Sequence, residues 1–303
     1  MNRKSDLIVL QRGWLSSNNV VIGDGEDQAV LVDTGYCTHA EQTLSLVQSA
    51  LGERRLSAIL NTHLHSDHCG GNARLVERYR VPVLIPPGQF DAASRWDESA
   101  LSYRATGQRC ERFTPDRALM PGSTLKLGDG LWHVLAAPGH DPDSVILFES
   151  RSGTLISADA LWEHGFGIVF PELDGESGFD EVQATLDLIT SLPVARVIPG
   201  HGAPFTDATN AVAEARRRLQ GFRQDPPRHA RYAAKALLKF HLIEVRQQSM
   251  HDLLAWLTNT EVHGQLWQRH FSAQPIAEWT ESVLQELRRS GAIAIEDGVV
   301  LDR

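Results

Sequence analysis

Four side chains that commonly bind metals lie within one short segment of the chain: His63, His65, Asp67 and His68. They follow an apolar run and precede a pair of glycines. Neighbouring side chains on a strand point to opposite faces, so these four groups can converge only on a tight loop at a strand end. Imidazole and carboxylate groups together suit Zn(II), and also Fe or Mn. A solvated polar loop would explain one histidine, but the cluster predicts a metal site.

Three further segments each place one metal-binding residue type directly after an apolar run: His140, Asp159 and His201. Glycine or another small residue stands beside each, which lets the backbone turn sharply and approach a neighbour closely. Each of the three would more often be structural if it stood alone. Together with the first segment they give seven candidate ligands, and we expect two divalent metal ions, with Zn favoured over Fe or Mn.

Taken in order, these motifs resemble those of the metallo-β-lactamase superfamily. The resemblance rests on a strand that ends in Leu31-Val32-Asp33-Thr34-Gly35, the HxHxDH motif over 63–68, Gly139-His140, Asp159 and Gly200-His201-Gly202. It covers roughly residues 18–203. It implies an α/β fold, namely a four-layered αββα sandwich with the metals at one edge.

The resemblance also implies a role for each ligand. The first metal would be held by His63, His65 and His140, the second by Asp67, His68 and His201, and Asp159 would bridge the two. Asp33 would support the site from outside the ligand set, although aspartate also favours strand-end turns in its own right. An aspartate at 159 with His201 resembles glyoxalase II and its hydrolase relatives. Common zinc β-lactamases typically carry cysteine at the bridging position, so antibiotic hydrolysis is less expected.

The expected reaction is hydrolysis by a hydroxide that bridges the two metals. Two bound cations would lower the pKa of water from 15.7 to about 7 and so supply hydroxide at neutral pH. The hydroxide would attack an electrophilic carbonyl carbon or a phosphorus. Asp67 or Asp159 could orient it and pass a proton to the leaving group.

The elements that position these residues follow from hydrophobic periodicity. Strands are predicted over 20–23, 29–33, 57–61, 81–85, 124–127, 132–137, 144–149, 153–159 and 195–200, and helices over 38–51, 73–79, 179–191 and 208–222. The segment 224–229 contains two prolines and is predicted to be a linker. After it, helices over 229–245, 249–258 and from Pro275 to Gly291 precede two strands joined by Asp297-Gly298, a strong hairpin signal. We therefore predict a catalytic domain over 1–223 and a smaller, mainly helical, winged-helix-like domain over 229–303.

Two segments are predicted to decide the substrate: an insert over 86–121, helical around 90–105, and a loop over 161–175. Aromatic residues are usually part of the core. The loop follows a ligand strand, however, and we propose Trp162, His164 and Phe166 as residues of the substrate pocket.

The composition excludes several classes of protein. The 303 residues carry a formal net charge of −9, which argues against a surface that binds nucleic acid throughout. No apolar run is long enough for a secretory leader or a membrane span. The three cysteines, Cys37, Cys69 and Cys110, are few and widely spaced, as expected of reduced thiols in a cytoplasmic protein. We expect a cytoplasmic location and no membrane partner, and a small buried residue at Cys69.

Three functions remain open. The favoured one is hydrolysis of an ester, thioester or lactone bond of a small molecule. The alternative is a ribonuclease or phosphodiesterase, because a winged-helix tail resembles a superfamily branch with RNA-cleaving members and residues 213–250 are basic. RNA is not favoured, since the chain is acidic overall and the basic stretch is more simply a solvated helix face. The third is a non-catalytic regulator, and the tail could instead form a homodimer interface or cover the core.

Overall fold

The computed structural model describes residues 7–303, so residues 1–6 of the predicted catalytic domain lie outside it. Within that range two sheets face each other. The first has the strand order β1-β2-β3-β4-β5-β6, with β1 Leu7–Leu10, β2 Asn19–Gly23, β3 Gln28–Val32, β4 Arg55–Leu60, β5 Val83–Ile85 and β6 Arg117–Ala118. The second has the order β11-β10-β9-β8-β7, with β7 Thr124–Leu127, β8 Gly130–Ala136, β9 Val145–Glu149, β10 Thr154–Ala158 and β11 Arg196–Pro199. Both sheets mix parallel and antiparallel pairs.

The strands are apolar on both faces because both faces of each sheet are covered. On β2, Val20 and Ile22 pack between the sheets, whereas Val21 points to the outer layer. On β9, Leu147 packs between the sheets and Phe148 points outward. Because the residues on both faces are buried, each strand is a continuous apolar run. The nine strands predicted from such runs are all present, each within two residues of the observed ends.

Helices cover the outer faces of both sheets. Helices α1 (Ala40–Leu51) and α3 (Asn72–Tyr79) pack on the first sheet, and α7 (Phe179–Ser191) and α8 (Ala208–Gln224) pack on the second. The result is the predicted αββα sandwich, with all four predicted helices present. The helical pattern predicted over 90–105 is interrupted, since α4 ends at Arg95 and Trp96 then takes a left-handed backbone with φ of +59°. Within that predicted pattern the helical parts are α4 Phe90–Arg95 and the start of α5 Tyr103–Thr106, and a 3-10 turn Cys37–His39 precedes α1. The elements of the sandwich that were not predicted are strands β1 and β6 and the short helices α2 Ser66–Cys69 and α6 Phe170–Asp174.

The C-terminal region contains four helices and a three-stranded sheet within the described residues. Its elements are α9 Pro226–Val245, β12 Gln247–Ser249, α10 Met250–Asn259, α11 Glu261–His270, α12 Ile276–Arg289, β13 Ile293–Glu296 and β14 Val299–Asp302, with the strand order β12-β14-β13. The hairpin between β13 and β14 is present, with positive φ at Asp297 and Gly298. Helix α11 and strand β12 were not predicted. The division into a catalytic and a winged-helix-like domain stays a prediction.

The predicted linker over 224–229 is instead a sharp break between two helices. Only Asp225 separates α8 from α9, and Pro226 and Pro227 occupy the first turn of α9. Proline is favoured there because its fixed φ suits a helix start and the first turn needs no N–H donor. The break therefore directs α9 back over the sandwich.

Specific contacts fix the C-terminal region to the sandwich. At the end of α9, the Glu244 carboxylate accepts hydrogen bonds from the Tyr36 hydroxyl at 3.0 Å and from Arg109 Nε at 2.7 Å. Near its start, the backbone N–H of Val169 donates to His229 Nε2 at 3.1 Å. The described part of the chain contains no helix that is long and apolar enough to cross a bilayer.

We predict that replacing His229 with Phe reduces the pH dependence of stability. Burial, with a smaller effect of Arg218, lowers the pKa of His229 to about 3. The folded state thus keeps this ring neutral, whereas the unfolded state protonates it below about pH 6.5. The contribution of His229 to folding is therefore complete above pH 6.5 and is lost as the pH falls towards 3. At pH 7.5 the variant should also lose about 1–3 kcal/mol, because the buried Val169 N–H loses its acceptor.

Urea unfolding at pH 7.5 and at pH 5.0 checks this. The loss of unfolding free energy between the two pH values should be smaller in His229→Phe than in the natural protein. His251→Phe, at an exposed position on α10, is the matched control and should behave like the natural protein. Equal pH dependence in both variants would contradict the role given to His229.

Candidate metal centre

The seven predicted ligands follow the C-terminal ends of four strands that meet at one edge of the sandwich. The segment 63–68 follows β4, His140 follows β8, Asp159 follows β10 and His201 follows β11. The last two come from adjacent parallel strands, and parallel strands end at the same edge of a sheet. The fold thus brings all seven side chains together.

The candidate ligand atoms form three sets, each with its atoms within 4.8 Å of one another. The sets are His63, His65 and His140; Asp67, His68 and His201; and His63, His68 and Asp159. The first two match the ligand sets implied by the family resemblance. The third contains Asp159 and one histidine from each of the other two. Asp159 Oδ2 lies 3.4 Å from His140 Nε2 and 3.9 Å from His201 Nε2, so this carboxylate lies between the two sets.

The 63–68 segment is part loop and part helix, which allows its alternate residues to serve different sets. His63 and His65 lie on the loop after β4, and Asp67 and His68 lie in the single turn of α2. Backbone contacts fix this turn. The carbonyl oxygen of His68 accepts from the Thr34 N–H at 2.7 Å, and that of Asp67 accepts from the Ser17 N–H at 2.9 Å. The ligand loop is therefore held by the segment after β3 and by the segment before β2.

Partners outside the ligand sets fix the orientation of the histidine rings. Asp33 Oδ2 lies 2.7 Å from His68 Nδ1, and its carboxylate also accepts from the backbone N–H of Thr62 at 2.9 Å. Asp33 has a left-handed backbone with φ of +56°. The same residue therefore turns the chain after β3 and holds the His68 ring with its carboxylate. The His140 Nδ1–H donates to the Ile168 carbonyl oxygen at 2.6 Å. Such contacts leave the other ring nitrogen of each histidine directed at the ligand cluster.

A further carboxylate, Asp141, was not identified from the sequence. Its Oδ2 lies 3.8 Å from His65 Nε2 and accepts from Gln89 Nε2 at 3.3 Å. Burial raises the pKa of Asp141 to about 7. The residue follows His140 directly, and no spacing rule separates it from an ordinary loop aspartate.

The donor atoms fit metal cations. His63 Nε2 and His68 Nε2 are buried without a hydrogen-bond partner among the described residues, and an unpaired buried polar atom costs about 1–3 kcal/mol. Burial and the neighbouring His68 hold the pKa of His63 well below its usual value. Burial and His140 lower the pKa of His65 to about 3. These rings are therefore neutral at physiological pH, as ligation requires.

The carboxylates of the cluster are ionised. Burial opposes ionisation, but the neighbouring His68 and His201 hold the pKa of Asp159 well below its ordinary range. The pKa of Asp67 is likewise lowered against burial by its hydrogen bond with His201, at 3.0 Å, and by His68. Burial opposes protonation of His68, but Asp159 and Asp33 raise the pKa of this ring well above its usual value, and metal binding would release that proton. Imidazoles beside two carboxylates form a donor set suited to two divalent ions of the Zn, Fe or Mn type.

Two glycines allow the ligands to pack this closely. A Cβ atom on Gly200 would lie 2.2 Å from Asp159 Oδ1, and one on Gly167 would lie 2.3 Å from His140 Nδ1. Both distances are far below van der Waals contact, so any other residue would displace a ligand. Gly200 belongs to a motif recognised in the sequence, whereas Gly167 lies in a loop whose course could not be predicted.

A cavity of about 310 Å³ opens over the cluster. Five of the candidate ligands line it, namely His65, Asp67, His140, Asp159 and His201. The other lining residues are Trp14, Gln108, Trp162, Gly167, Ile168, Phe170, Tyr232, Ala236, Leu237, Lys239, Phe240 and Ile243. The Trp14 ring stacks on His201 with centroids 5.1 Å apart, and its side chain is 57% exposed at the rim. Trp14 and the α9 residues were missed by the sequence analysis.

Of the three residues proposed for the pocket, the structure places only Trp162 in it. A tight turn reverses the chain, with the Trp162 N–H donating to the Gly165 carbonyl oxygen at 2.7 Å. Trp162 before the turn faces the cavity, and its Nε1 donates to Asp159 Oδ1 at 3.1 Å. His164 lies on the exposed turn, 3.2 Å from Glu214. Phe166, after the turn, is buried in the core against Phe222.

The insert over 86–121 contributes less to the cavity than predicted. Trp96, Tyr103 and Phe113 pack together in the core. The Tyr103 hydroxyl donates to the Leu64 carbonyl oxygen at 2.9 Å and so supports the ligand loop from behind. Gln108 is the residue of this insert that lines the cavity.

The cysteines are free thiols, as predicted. Cys69 is buried beside His68, and its Sγ lies 3.2 Å from the Tyr103 hydroxyl and 3.8 Å from Cys110 Sγ. It therefore packs as a small apolar residue against the insert, with its sulfur directed away from the ligand cluster.

Trp162→Ala and Phe166→Ala form a matched pair that tests the cavity assignment. Trp162→Ala removes a hydrogen bond to Asp159, so turnover should fall about 10–100-fold, as is typical when a ligand loses a supporting contact. Phe166→Ala should instead destabilise the fold by about 3–5 kcal/mol because it leaves a cavity in the core. Steady-state kinetics and urea unfolding on both variants measure the two effects. Equal losses of stability and turnover in Trp162→Ala would place Trp162 in the core as well.

Comparisons with known proteins agree with the geometry. A family model described as the metallo-beta-lactamase superfamily matches residues 12–201. Hydroxyacylglutathione hydrolase of Halorhodospira halophila is 35% identical over 150 residues, and the match covers 48% of this chain and 48% of that protein. The chain thus spans about half the length of that relative. Human acyl-coenzyme A thioesterase MBLAC2 is 24% identical over 235 residues, covering 68% of this chain and 84% of that protein.

The fold similarity extends to the C-terminal region. A beta-lactamase domain protein from Burkholderia ambifaria has a TM-score of 0.62 at 20% identity, and the match covers 98% of this chain and 92% of that one. The family resemblance predicted from the motifs is therefore confirmed. The family match includes all seven candidate ligands and covers more than half of the residues of this chain. The chain therefore belongs to the metallo-beta-lactamase superfamily.

Proposed function

We propose that the protein is a binuclear metal-dependent hydrolase that cleaves an ester, thioester or lactone bond of a small molecule. In this proposal His63, His65 and His140 hold one ion, and Asp67, His68 and His201 hold the other, with Asp159 shared. The observation that supports it most is the convergence of two three-residue sets with an ionised carboxylate between them. Zn suits these donors best, with Fe or Mn as alternatives.

The bound metals would supply water of lowered pKa and polarise the oxygen of the scissile group. The chain's own residues would do the rest. Asp67 and Asp159 both line the cavity and are ionised, so either could accept a proton and return it to the leaving group. Trp162 holds Asp159 through its indole N–H. Trp14 and Phe170 cover the histidine rings from outside and limit the access of bulk water.

The cavity favours a carbonyl substrate over a phosphodiester. Binding a nucleic acid backbone requires unpaired cationic side chains near the reacting centre. Lys239 is the one cationic residue among the described residues that line the cavity. Its Nζ is already bonded to the carbonyl oxygens of Ala292 and Arg303 and to the carboxylate of Asp302. The names of the two relatives above, a hydroxyacylglutathione hydrolase and an acyl-coenzyme A thioesterase, also point to an acyl substrate.

The C-terminal region forms part of the same proposal. We infer that its four helices and three strands are a winged-helix-like domain that covers the core and completes the cavity, rather than a nucleic-acid reader. Its basic residues Arg231 and Lys235 are paired with Glu286 at 2.7 and 3.0 Å, which leaves less charge free for phosphates. The salt dependence of binding to oligoribonucleotides would reveal a nucleic-acid role if one existed.

Metal analysis and a substrate panel test the proposed function. We expect two divalent ions per chain and hydrolysis of thioesters, esters or lactones that exceeds hydrolysis of bis-p-nitrophenyl phosphate. Replacing Asp159 with Asn should abolish most activity, because the shared carboxylate is lost. A phosphodiesterase preference would favour the nuclease alternative. Absence of metal binding, together with no activity on any substrate after metal loading, would leave only the non-catalytic alternative.

Replacing Asp33 with Asn should weaken metal binding about 10–100-fold, because the amide cannot hold the His68 ring as the carboxylate does. Competition with a fluorescent zinc chelator gives the affinity of each variant. Asp143→Asn is the matched control, since Asp143 is close in sequence to His140 but belongs to none of the ligand sets. Equal affinities in the two variants would reduce Asp33 to a turn residue.

A further inference from the structure

Helix α9 has two apolar faces, although its packing in the C-terminal core requires only one. The first face packs in that core through Ala230, Ala233, Ala234, Leu237, Leu238 and Leu242. The second consists of Tyr232, Ala236, Phe240 and Ile243, all half-buried and all lining the cavity over the metal cluster. Tyr232 and Ala236 also pack against the edge of the C-terminal core, whereas Phe240 and Ile243 do not belong to it. Their spacing of four, four and three residues places them in one row along the helix. A surface helix with only that core to fill would carry polar residues at Phe240 and Ile243.

The part of the cavity wall beside the candidate metal ligands is also apolar. Phe170 lies against two histidines of the first set, with ring centroids 4.5 Å from His65 and 5.6 Å from His140. Ile168 lines the cavity beside it. Ile168 and Phe170 share a hydrophobic cluster with Tyr232 and Ala236, so apolar contacts connect the first ligand set with the row on α9.

The cavity has few polar groups apart from the candidate ligands, and its one cationic group among the described lining residues is already paired. Apart from the candidate ligands, the charged residue among the described lining residues is Lys239, and its ammonium group is engaged by three acceptors. Gln108 Oε1 is taken up by the Ser66 hydroxyl at 2.5 Å. No charged partner is thus left in the described walls for an anionic or zwitterionic acyl group. A cavity with one reactive polar end and apolar walls is typical of sites for apolar ligands.

We propose that this cavity binds the apolar, unbranched acyl chain of the substrate, and that α9 sets the chain length. The proposal rests on the proposed function, because it names the substrate class of the same site. The substrate is then an acyl thioester or ester with a medium-length alkyl chain. Water adds its oxygen to the acyl carbon, the carbon–sulfur or carbon–oxygen bond breaks, and the proton goes to the departing thiolate or alkoxide. The products are a fatty acid and a thiol or alcohol.

A chain-length series of S-acyl-N-acetylcysteamines tests the substrate class without phosphate or glutathione. Each methylene that enters an apolar cavity should raise kcat/KM about fourfold. We expect this rise from acetyl towards octanoyl, followed by a decline once the chain exceeds the cavity. Equal kcat/KM along the series, or a maximum at acetyl, would overturn the proposal.

Variants of α9 test the role of the helix. Ala236→Phe fills the cavity, so the ratio of octanoyl to acetyl kcat/KM should fall at least tenfold. Phe240→Ala enlarges the cavity and should move the optimum to longer chains, a gain that general misfolding cannot produce. Val245→Phe is the matched control, because Val245 lies on the same helix, is exposed and does not line the cavity. Val245→Phe should keep the octanoyl-to-acetyl ratio of kcat/KM of the natural protein. If this ratio falls as far in Val245→Phe as in Ala236→Phe, the proposal that α9 sets the chain length is overturned.

Binding of a non-hydrolysable thioether, S-octyl-N-acetylcysteamine, separates this inference from the proposed function. Calorimetry should show binding to the natural protein that weakens at least tenfold in Ala236→Phe and is retained in Val245→Phe. Such binding without hydrolysis of any thioester, ester or lactone would support the apolar site and overturn the proposed function. Hydrolysis with no chain-length preference and no thioether binding would overturn the inference and leave the proposed function standing.

Discussion

The structure depends on one constraint, which is the close approach of seven ionisable side chains at one edge of the sandwich. Five histidine rings and two carboxylates share a buried volume in which each would be costly alone. The carboxylates are kept ionised by His68 and His201, and the rings are held in place by hydrogen bonds from outside the cluster. Asp33 is central to this arrangement because it binds the His68 ring and the backbone that begins the ligand loop. The sandwich supplies what these contacts require, namely rigid strand ends and glycines where the ligands crowd the backbone.

Much of the fold could be predicted because its strands are buried on both faces. A run such as 145–149 has no polar alternation to obscure it, and its length alone separates it from a helix. The ligands could be predicted for a different reason. Four of them are local in sequence, and the other three stand beside small residues after strong strands. Short helices such as α2 and α6 carry too little periodicity to be recognised.

The cavity walls could not be predicted, because they depend on how distant parts of the chain meet. Trp162 and Phe166 differ in environment only because a turn closed between Trp162 and Gly165 reverses the chain between them. The row on α9 is visible as a helical pattern, but nothing local shows that one face covers a core and the other a site. The prolines within 224–229 predict a linker, whereas in the structure the break at Asp225 directs α9 over the cavity. Sequence patterns therefore indicated the reactive groups better than the surfaces around them.

The contacts at the two ends of α9 have a thermodynamic consequence. Tyr36 and Arg109 fix one end of the helix through Glu244, and His229 fixes the other to the loop that follows Asp159. A ligand in the cavity touches both α9 and the loops of the sandwich, so it adds its binding free energy to the docking of the two regions. Ligand binding in the cavity would then strengthen the attachment of the C-terminal region to the sandwich, and this attachment would in turn raise the affinity for the ligand.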